Sequence, residues 1–136
     1  MNDAVSQDIL IVDDVGSSRE LLAGVLREVC VLPIRMARNG QETIQAVQAR
    51  VPAVVFLDID LPDVNGLELL RRIHAQDERI FVVMVSGVGT PANVKTSREH
   101  GAAAFILKPF RPQRVVEALM AYQRHRGDTV VRPQPA

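Results

Sequence analysis

Cysteine is almost missing from this sequence, since Cys30 is its one cysteine in 136 residues. A lone cysteine cannot form an intramolecular disulfide, and no neighbouring residues resemble a metal-binding or redox pair. The chain is therefore not built around disulfides or a structural zinc site. Cys30 falls late in a predicted helix, which favours a small, buried, apolar role.

A surplus of charge is missing as well. Lys plus Arg and Asp plus Glu both number 16, so the formal net charge is zero. Modules that bind nucleic acid usually carry a basic excess or a basic stripe. We therefore expect no direct binding to nucleic acid.

No apolar run approaches the roughly 20 residues of a membrane span. Residues 1–8 have neither the basic start nor the apolar stretch of a signal peptide. We expect a cytoplasmic protein that does not interact with membranes.

Short apolar runs alternate with helical patterns along the chain. Strands are predicted at residues 9–12, 33–37, 53–57, 80–85 and 103–107. Helices are predicted after a cap at Ser17 or Ser18, and over residues 42–49, 66–73, 90–100 and 111–124. Strands that are apolar throughout need cover on both faces, so the pattern predicts an α/β fold: a doubly wound, five-stranded parallel sheet with helices on both faces. The domain is expected over residues 1–126, with a flexible tail over residues 127–136.

Polar residues follow four of the five predicted strands. Asp13 and Asp14 end the first strand, Asp58 the third, Ser86 the fourth and Lys108 the fifth. The carboxyl ends of parallel strands meet at one edge of the sheet, where such folds bind ligands. Three crowded carboxylates repel one another unless a cation neutralises them. Oxygen ligands suit hard divalent ions, so this edge predicts a Mg²⁺ or Mn²⁺ site.

The same set of residues is suited to phosphoryl transfer. A carboxylate can act as a nucleophile and form an aspartyl phosphate. The transferring group spreads negative charge over three oxygens, so the protein mainly positions and neutralises it. A metal, the Lys108 ammonium and the Ser86 hydroxyl would together cover those oxygens.

The chain closely resembles the receiver domains of two-component response regulators, from about Asp8 to Tyr122. The resemblance rests on an acidic pair, a phosphoacceptor motif, a Ser/Thr strand end and a lysine motif. These are Leu10-Ile11-Val12-Asp13-Asp14, Phe56-Leu57-Asp58-Ile59-Asp60-Leu61-Pro62-Asp63-Val64-Asn65-Gly66, Val83-Met84-Val85-Ser86-Gly87 and Lys108-Pro109-Phe110.

The resemblance implies a role for each matched acidic position. Asp58 would accept a phosphoryl group from a histidine kinase or a phosphotransfer protein. Asp14 and Asp58 would bind the metal directly, and Asp13 would act mostly through water. The main-chain carbonyl of Asp60 would complete the ligands that the protein supplies.

The resemblance also implies a switch and a strand order of 2-1-3-4-5. Lys108 would pair with the phosphoryl oxygens, and Ser86 would move to hydrogen-bond one of them. Phe105 occupies the position of the family's switch aromatic, and the Lys108-Pro109 bond is expected to be cis.

A signalling role follows from the same resemblance. A downstream protein would bind the face made by the fourth helix, the fifth strand and the fifth helix, which includes residues 90–100 and 111–122. The chain would not be an enzyme in the usual sense, since it would only promote its own phosphorylation and dephosphorylation. The sequence does not decide whether the chain forms a homodimer when it is phosphorylated. The chain reads as a stand-alone protein or as an excised N-terminal receiver.

Two alternatives remain at this point. Asp58-Ile59-Asp60 resembles the Asp-x-Asp of haloacid-dehalogenase-type phosphatases, although those enzymes carry the motif on their first strand. A degenerate receiver that binds partners without phosphate is the other alternative, and the complete set of acidic, hydroxyl and lysine groups argues against it.

Overall fold

In the computed structural model, which describes residues 8–133, five strands alternate with five helices. The strands are β1 (Ile9–Val12), β2 (Ile34–Ala37), β3 (Val54–Leu57), β4 (Phe81–Ser86) and β5 (Ala104–Leu107). The helices are α1 (Gly16–Val29), α2 (Gly40–Ala49), α3 (Gly66–Gln76), α4 (Pro91–Glu99) and α5 (Pro112–Arg126). The strands form one sheet in the order β2-β1-β3-β4-β5, and every neighbouring pair is parallel. The predicted fold and strand order are therefore confirmed.

Alternate residues of each central strand point to opposite faces of the sheet, as a period of two requires. Ile9 and Ile11 pack into one hydrophobic cluster, whereas Leu10 and Val12 pack into the other. The first cluster includes buried residues of α1 and α5, and the second includes buried residues of α2 and α3. Both faces of β1, β3 and β4 are buried, which explains why these strands read as continuous apolar runs.

Two helices begin more than one residue earlier than predicted. The proposed cap at Ser17 or Ser18 is wrong: α1 begins at Gly16, and its N-cap residue Val15 makes no side-chain capping bond. Helix α2 begins earlier than predicted because the Asn39 side chain accepts the Glu42 amide and caps it there.

The predicted end of α4 at residue 100 agrees with the structure to within one residue. Helix α4 has His100 as its C-cap, and Gly101 follows with φ of +101°, in the left-handed region that favours glycine. The amide of Gly101 donates to the carbonyl of Arg98, which satisfies one carbonyl of the last turn.

Part of the segment predicted as a tail, residues 128–132, packs against the rest of the domain. Val130 is buried, and its carbonyl accepts the Val31 amide at 2.9 Å. Val131 forms an isolated antiparallel bridge with Cys30. These bonds dock the segment beside the end of α1 and bury the thiol. The prediction for residues 134–136 lies outside the described residues.

Within residues 8–133, no helix combines the length and the apolar character that crossing a membrane requires.

Candidate functional site

The carboxyl ends of β1 and β3 each place an aspartate beside the same lysine. The Lys108 ammonium, which follows β5, lies 2.8 Å from Asp13 Oδ2 and 3.0 Å from Asp58 Oδ2. Backbone pairing holds the two carboxylates in register, since the Asp58 amide donates to the carbonyl of Val12 at the end of β1. Residues 50 and 95 positions apart from Lys108 in the chain thus meet at one edge of the sheet.

Asp14 joins the two buried aspartates to form an acidic cluster of three. One carboxylate oxygen from each of Asp13, Asp14 and Asp58 lies within 4.8 Å of the others. Asp13 and Asp58 are buried, whereas Asp14 is exposed and leaves the cluster open to solvent. Lys108 pairs with two of these three carboxylates, and hard oxygen donors in this number fit Mg²⁺ or Mn²⁺.

The Asp13 carboxylate accepts more hydrogen bonds than the other carboxylates of the acidic cluster. The Val15 amide donates to Oδ1 at 2.9 Å, and the Ser18 hydroxyl donates to Oδ2 at 2.6 Å. Burial by itself would raise the pKa of Asp13, but hydrogen bonds from Lys108, Ser18 and Val15 outweigh it and lower that pKa. Asp13 is therefore held in its charged form.

Asp58 has the opposite balance. Burial raises the pKa of its carboxyl and outweighs the opposing hydrogen bond from Lys108. The Asp60 amide donates to Asp58 Oδ1 at 3.2 Å, while Oδ2 faces the lysine. Burial would lower the pKa of Lys108, but its bonds to Asp13 and Asp58 raise it overall. The lysine is consequently a permanent cation beside Asp58.

Ser86 ends β4, and Phe105 lies on the neighbouring strand β5. Ser86 is fully buried, its hydroxyl oxygen accepts the Val88 amide at 3.1 Å, and its carbonyl accepts the Lys108 amide. Phe105 is half-buried and borders a surface cavity of about 440 Å³. The cavity is also lined by Gly89, Val94, Leu107, Pro109, Phe110, Arg111 and Arg114. The bond between Lys108 and Pro109 is cis, as the resemblance implied.

Asp60 differs from the other predicted metal residues. Its side chain is exposed, and the acidic cluster found among residues 8–133 does not include its carboxylate. Its main chain is nevertheless close to the site through the amide bond to Asp58. This arrangement is compatible with a role for the Asp60 carbonyl rather than for its carboxylate.

Sequence reasoning missed two residues that hold Asp13. Ser18 had been taken as a helix cap, but its hydroxyl donates to the Asp13 carboxylate. Arg19 donates from Nη1 to the Asp13 carbonyl at 2.7 Å. Both lie on the first turns of α1, five and six residues after Asp13, and that spacing was the available signal.

The model of the response regulator receiver domain family matches residues 9–120 of the chain. The chain is 34% identical over 111 residues to the chemotaxis protein CheY of Thermotoga maritima, covering 82% of this chain and 92% of that protein. It is 33% identical over 126 residues to the DNA-binding response regulator MtrA of Mycobacterium tuberculosis, covering 93% of this chain and 54% of that protein.

Solved structures share the fold. A CheY-like receiver domain protein from Methanospirillum hungatei superposes with a TM-score of 0.81 at 27% sequence identity, covering 90% of this chain and 96% of that one. The receiver domain of NtrX from Brucella abortus superposes with a TM-score of 0.76 at 36% identity, covering 86% of this chain and 98% of that one.

Proposed function

The chain belongs to the response regulator receiver domain family, and on that premise we propose that it is a signalling switch that accepts a phosphoryl group on Asp58. The observation that supports the proposal best is the Lys108 ammonium, which lies between Asp13 and Asp58 at 2.8 and 3.0 Å. The donor is a histidine kinase or a histidine phosphotransfer protein in the cytoplasm.

An Asp58 carboxylate oxygen attacks the phosphorus of a phosphohistidine. A new O–P bond forms as the N–P bond breaks, and the imidazole of the donor leaves with the electron pair. Lys108 neutralises charge on the phosphoryl oxygens and already holds the attacking carboxylate in place. Hydrolysis later adds water across the acyl phosphate and returns Asp58 and inorganic phosphate.

Asp13, Asp14 and Asp58 would hold a Mg²⁺ or Mn²⁺ ion, together with the main-chain carbonyl of Asp60. The fit rests on the three carboxylate oxygens within 4.8 Å of one another and on the single ammonium that opposes them. When bound, such an ion neutralises oxygens of the reacting phosphoryl group. Asp13 would contribute mainly through water, because Val15 and Ser18 already donate to its carboxylate.

The switch uses the charge that phosphorylation adds, about −1.5 to −2 at neutral pH. Ser86 leaves the Val88 amide and donates its hydroxyl to a phosphoryl oxygen, while Lys108 shifts toward the same group. Phe105 then turns into the space that Ser86 vacates. The face formed by α4, β5 and α5 is thereby repacked for a downstream protein, as a shift between two populated states.

The proposal is tested by incubating the protein with acetyl phosphate or phosphoramidate and Mg²⁺, followed by intact-mass measurement. We expect the native protein to gain one phosphoryl group and Asp58→Asn to gain none. Ser17→Ala is the matched control, since it removes a nearby hydroxyl outside the set of Asp13, Asp58, Ser86 and Lys108, and it should gain the group like the native protein.

The alternatives predict other outcomes. No mass gain with either small donor or with a panel of histidine kinases would indicate the degenerate receiver. Steady turnover of a phosphomonoester would indicate the phosphatase, which the family match over residues 9–120 leaves without support.

A further inference from the structure

The loop between β3 and α3 contacts both the candidate phosphoacceptor Asp58 and helix α2, which lies outside the site. Its first part contacts the site directly, because the Asp60 amide donates to Asp58 Oδ1. Its base is closed by the bond from the Gly66 amide to the Ile59 carbonyl at 2.7 Å and by an isolated bridge between Asp60 and Asn65. The position of the Asp60 peptide therefore depends on how this loop is held.

The tip of the loop is tied to α2 by one side chain. The Asp63 carboxylate accepts the Gly40 amide at 2.8 Å with Oδ1 and the Gln41 amide at 3.0 Å with Oδ2. These are the first amides of α2, which lack partners inside the helix and carry the positive end of its dipole. The Gly40 hydrogen bond, with support from Gln41, lowers the pKa of Asp63, so the carboxylate is charged at neutral pH.

The contact between the loop and α2 is also close-packed. A Cβ atom at Gly40 would overlap the Val64 side chain, and a Cβ atom at Gly66 would overlap the carbonyl oxygen of Asp58. The Val64 side chain thus packs against the first residue of α2, Gly66 lies close to the Asp58 backbone, and the Asp63 bonds hold the loop tip against α2.

We propose that Asp63 is a positioning residue: by binding the first amides of α2 it holds the loop so that the Asp60 peptide stays against Asp58. The inference rests on the proposed function, since the consequence lies in the affinity of the Asp58 site for a divalent ion. Asp63 does not touch the reacting atoms. It acts through the loop, and its loss lets the Asp60 amide and carbonyl drift from the acidic cluster.

The structure offers a matched control at the same helix end. Asn39 caps α2 by accepting the Glu42 amide at 2.8 Å. Asn39→Ala therefore weakens the same helix terminus as Asp63→Ala but leaves the Asp63 bonds to the loop in place. A loss that comes only from fraying of α2 would appear in both variants.

The experiment measures Mn²⁺ affinity from the electron paramagnetic resonance signal of free Mn²⁺, with thermal unfolding recorded in parallel. Loss of a residue that orients metal ligands typically weakens metal affinity by at least about tenfold, and we expect about this change for Asp63→Ala. Asn39→Ala should keep the native Mn²⁺ affinity while losing thermal stability like Asp63→Ala. Asp63→Asn keeps one acceptor oxygen, and half of the tenfold free energy corresponds to a loss of about threefold.

Native Mn²⁺ affinity in Asp63→Ala would overturn the inference, and so would an equal loss in Asn39→Ala. Should Asp63→Ala fail to fold, Asp63→Asn decides the matter, since an affinity equal to that of the native protein overturns the inference. Absence of Mn²⁺ binding by the native protein would instead remove the proposed metal site, and this inference with it.

Discussion

The two edges of the sheet each bury an aspartate, but they compensate its charge differently. At the amino-terminal edge, Asp8 is 1% exposed and is shared by two guanidinium groups. Arg50 Nε donates to its Oδ2 at 3.1 Å and Arg35 Nη2 donates to its Oδ1 at 3.3 Å. Arg35 Nε also lies 2.8 Å from Oδ2 as an ion pair, without the alignment of a hydrogen bond. At the carboxyl-terminal edge, three carboxylates cluster and two of them, Asp13 and Asp58, pair with the ammonium of Lys108.

The difference separates a structural ion cluster from a binding site. Arg35 also donates to the carbonyls of Ala46 and Arg50, so the cations around Asp8 secure the end of α2 to the sheet. Positive charge is in surplus there, and a further cation would be repelled. Negative charge is in surplus around Asp58, and a divalent ion would complete it. Burial of an aspartate alone thus does not identify a metal-binding site. The balance between carboxylates and cations around the aspartate does.

Removing the Lys108 ammonium from the acidic edge should have the largest effect. Lys108→Met is expected to slow phosphoryl uptake by about 10²–10³-fold, because one preorganised donor to the transferring group is lost. The same change should tighten Mg²⁺ binding, since the ammonium no longer repels the ion. Intact-mass time courses and calorimetry measure the two quantities.

Arg50→Met is the control for this substitution, because it removes a cation at the opposite edge and should change neither quantity. Phosphoryl uptake by Lys108→Met within a few-fold of the native rate would contradict the role of the lysine.

Neutralising the structural aspartate should act on stability alone. Asp8→Asn is expected to lower the free energy of unfolding by about 3 kcal/mol, since it leaves two cations without their counter-charge. Urea titration measures the loss, while phosphoryl uptake of the folded variant stays native. Glu20→Gln, which breaks an exposed pair with Arg27, should change stability by less than about 0.5 kcal/mol. A loss below about 1 kcal/mol for Asp8→Asn would mean that the buried cluster stabilises the protein no more than that surface pair does, and it would contradict the prediction.

Neutralising the candidate phosphoacceptor in metal-free buffer should raise the free energy of unfolding, whereas Asp8→Asn should lower it. Burial raises the pKa of Asp58 above its ordinary value of 3.8. The contribution of protonated Asp58 to the stability of the fold is therefore fully present below pH 3.8, and it is lost as the pH rises through the folded pKa. Asp58→Asn is therefore expected to stabilise the protein at pH 7 by about 1 kcal/mol. The gain should shrink as the pH falls toward the ordinary carboxyl range, and urea titrations at several pH values in EDTA measure it.

Asp13→Asn provides the contrast, because the folded pKa of Asp13 is lowered. Its stabilising contribution is present above the ordinary value of 3.8 and is lost as the pH falls through the folded pKa. Asp13→Asn should therefore destabilise the protein at pH 7. Equal effects of the two substitutions would show that the two carboxylates are not held differently.

A separate prediction concerns residues 128–132, which dock beside the end of α1. Cys30 is buried, and burial raises the pKa of its thiol, so reaction with a thiol reagent should be slow. Val130→Asp is expected to speed that reaction by about tenfold, because local opening of residues 128–132 becomes easier by about 1.4 kcal/mol. An unchanged rate would show that these residues do not protect the thiol.

The residues at the strand ends were predictable from the sequence, because each follows a short apolar run and parallel strands must end at one edge. Ser18 and Asp63 were not recognised. From its position in the sequence, Ser18 resembles an ordinary helix cap. Only the backbone geometry of the folded chain brings its hydroxyl to Asp13. Asp63 bonds an amide 23 positions away, which depends on how the loop packs on α2.

The docking of residues 128–132 after α5 was not predicted either, for a similar reason. Helix α5 continues to Arg126, past the predicted end at residue 124, and Gly127 is its C-cap. The polar residues around Gly127 are typical of a frayed end. Val130 is nevertheless buried, because the end of α1 offers the amide of Val31 as a donor and a hydrophobic cluster as cover. Such a surface exists only after the helices have packed, so the sequence pattern carries little sign of it.

Calorimetric titration of the native protein with Mg²⁺ tests the contrast between the two edges most directly. We expect one ion per chain, native binding in Arg50→Met at the opposite edge, and no binding in a variant that carries both Asp14→Asn and Asp58→Asn. No heat of binding in the native protein, or native binding in the double variant, would contradict the assignment of the acidic edge as the metal site.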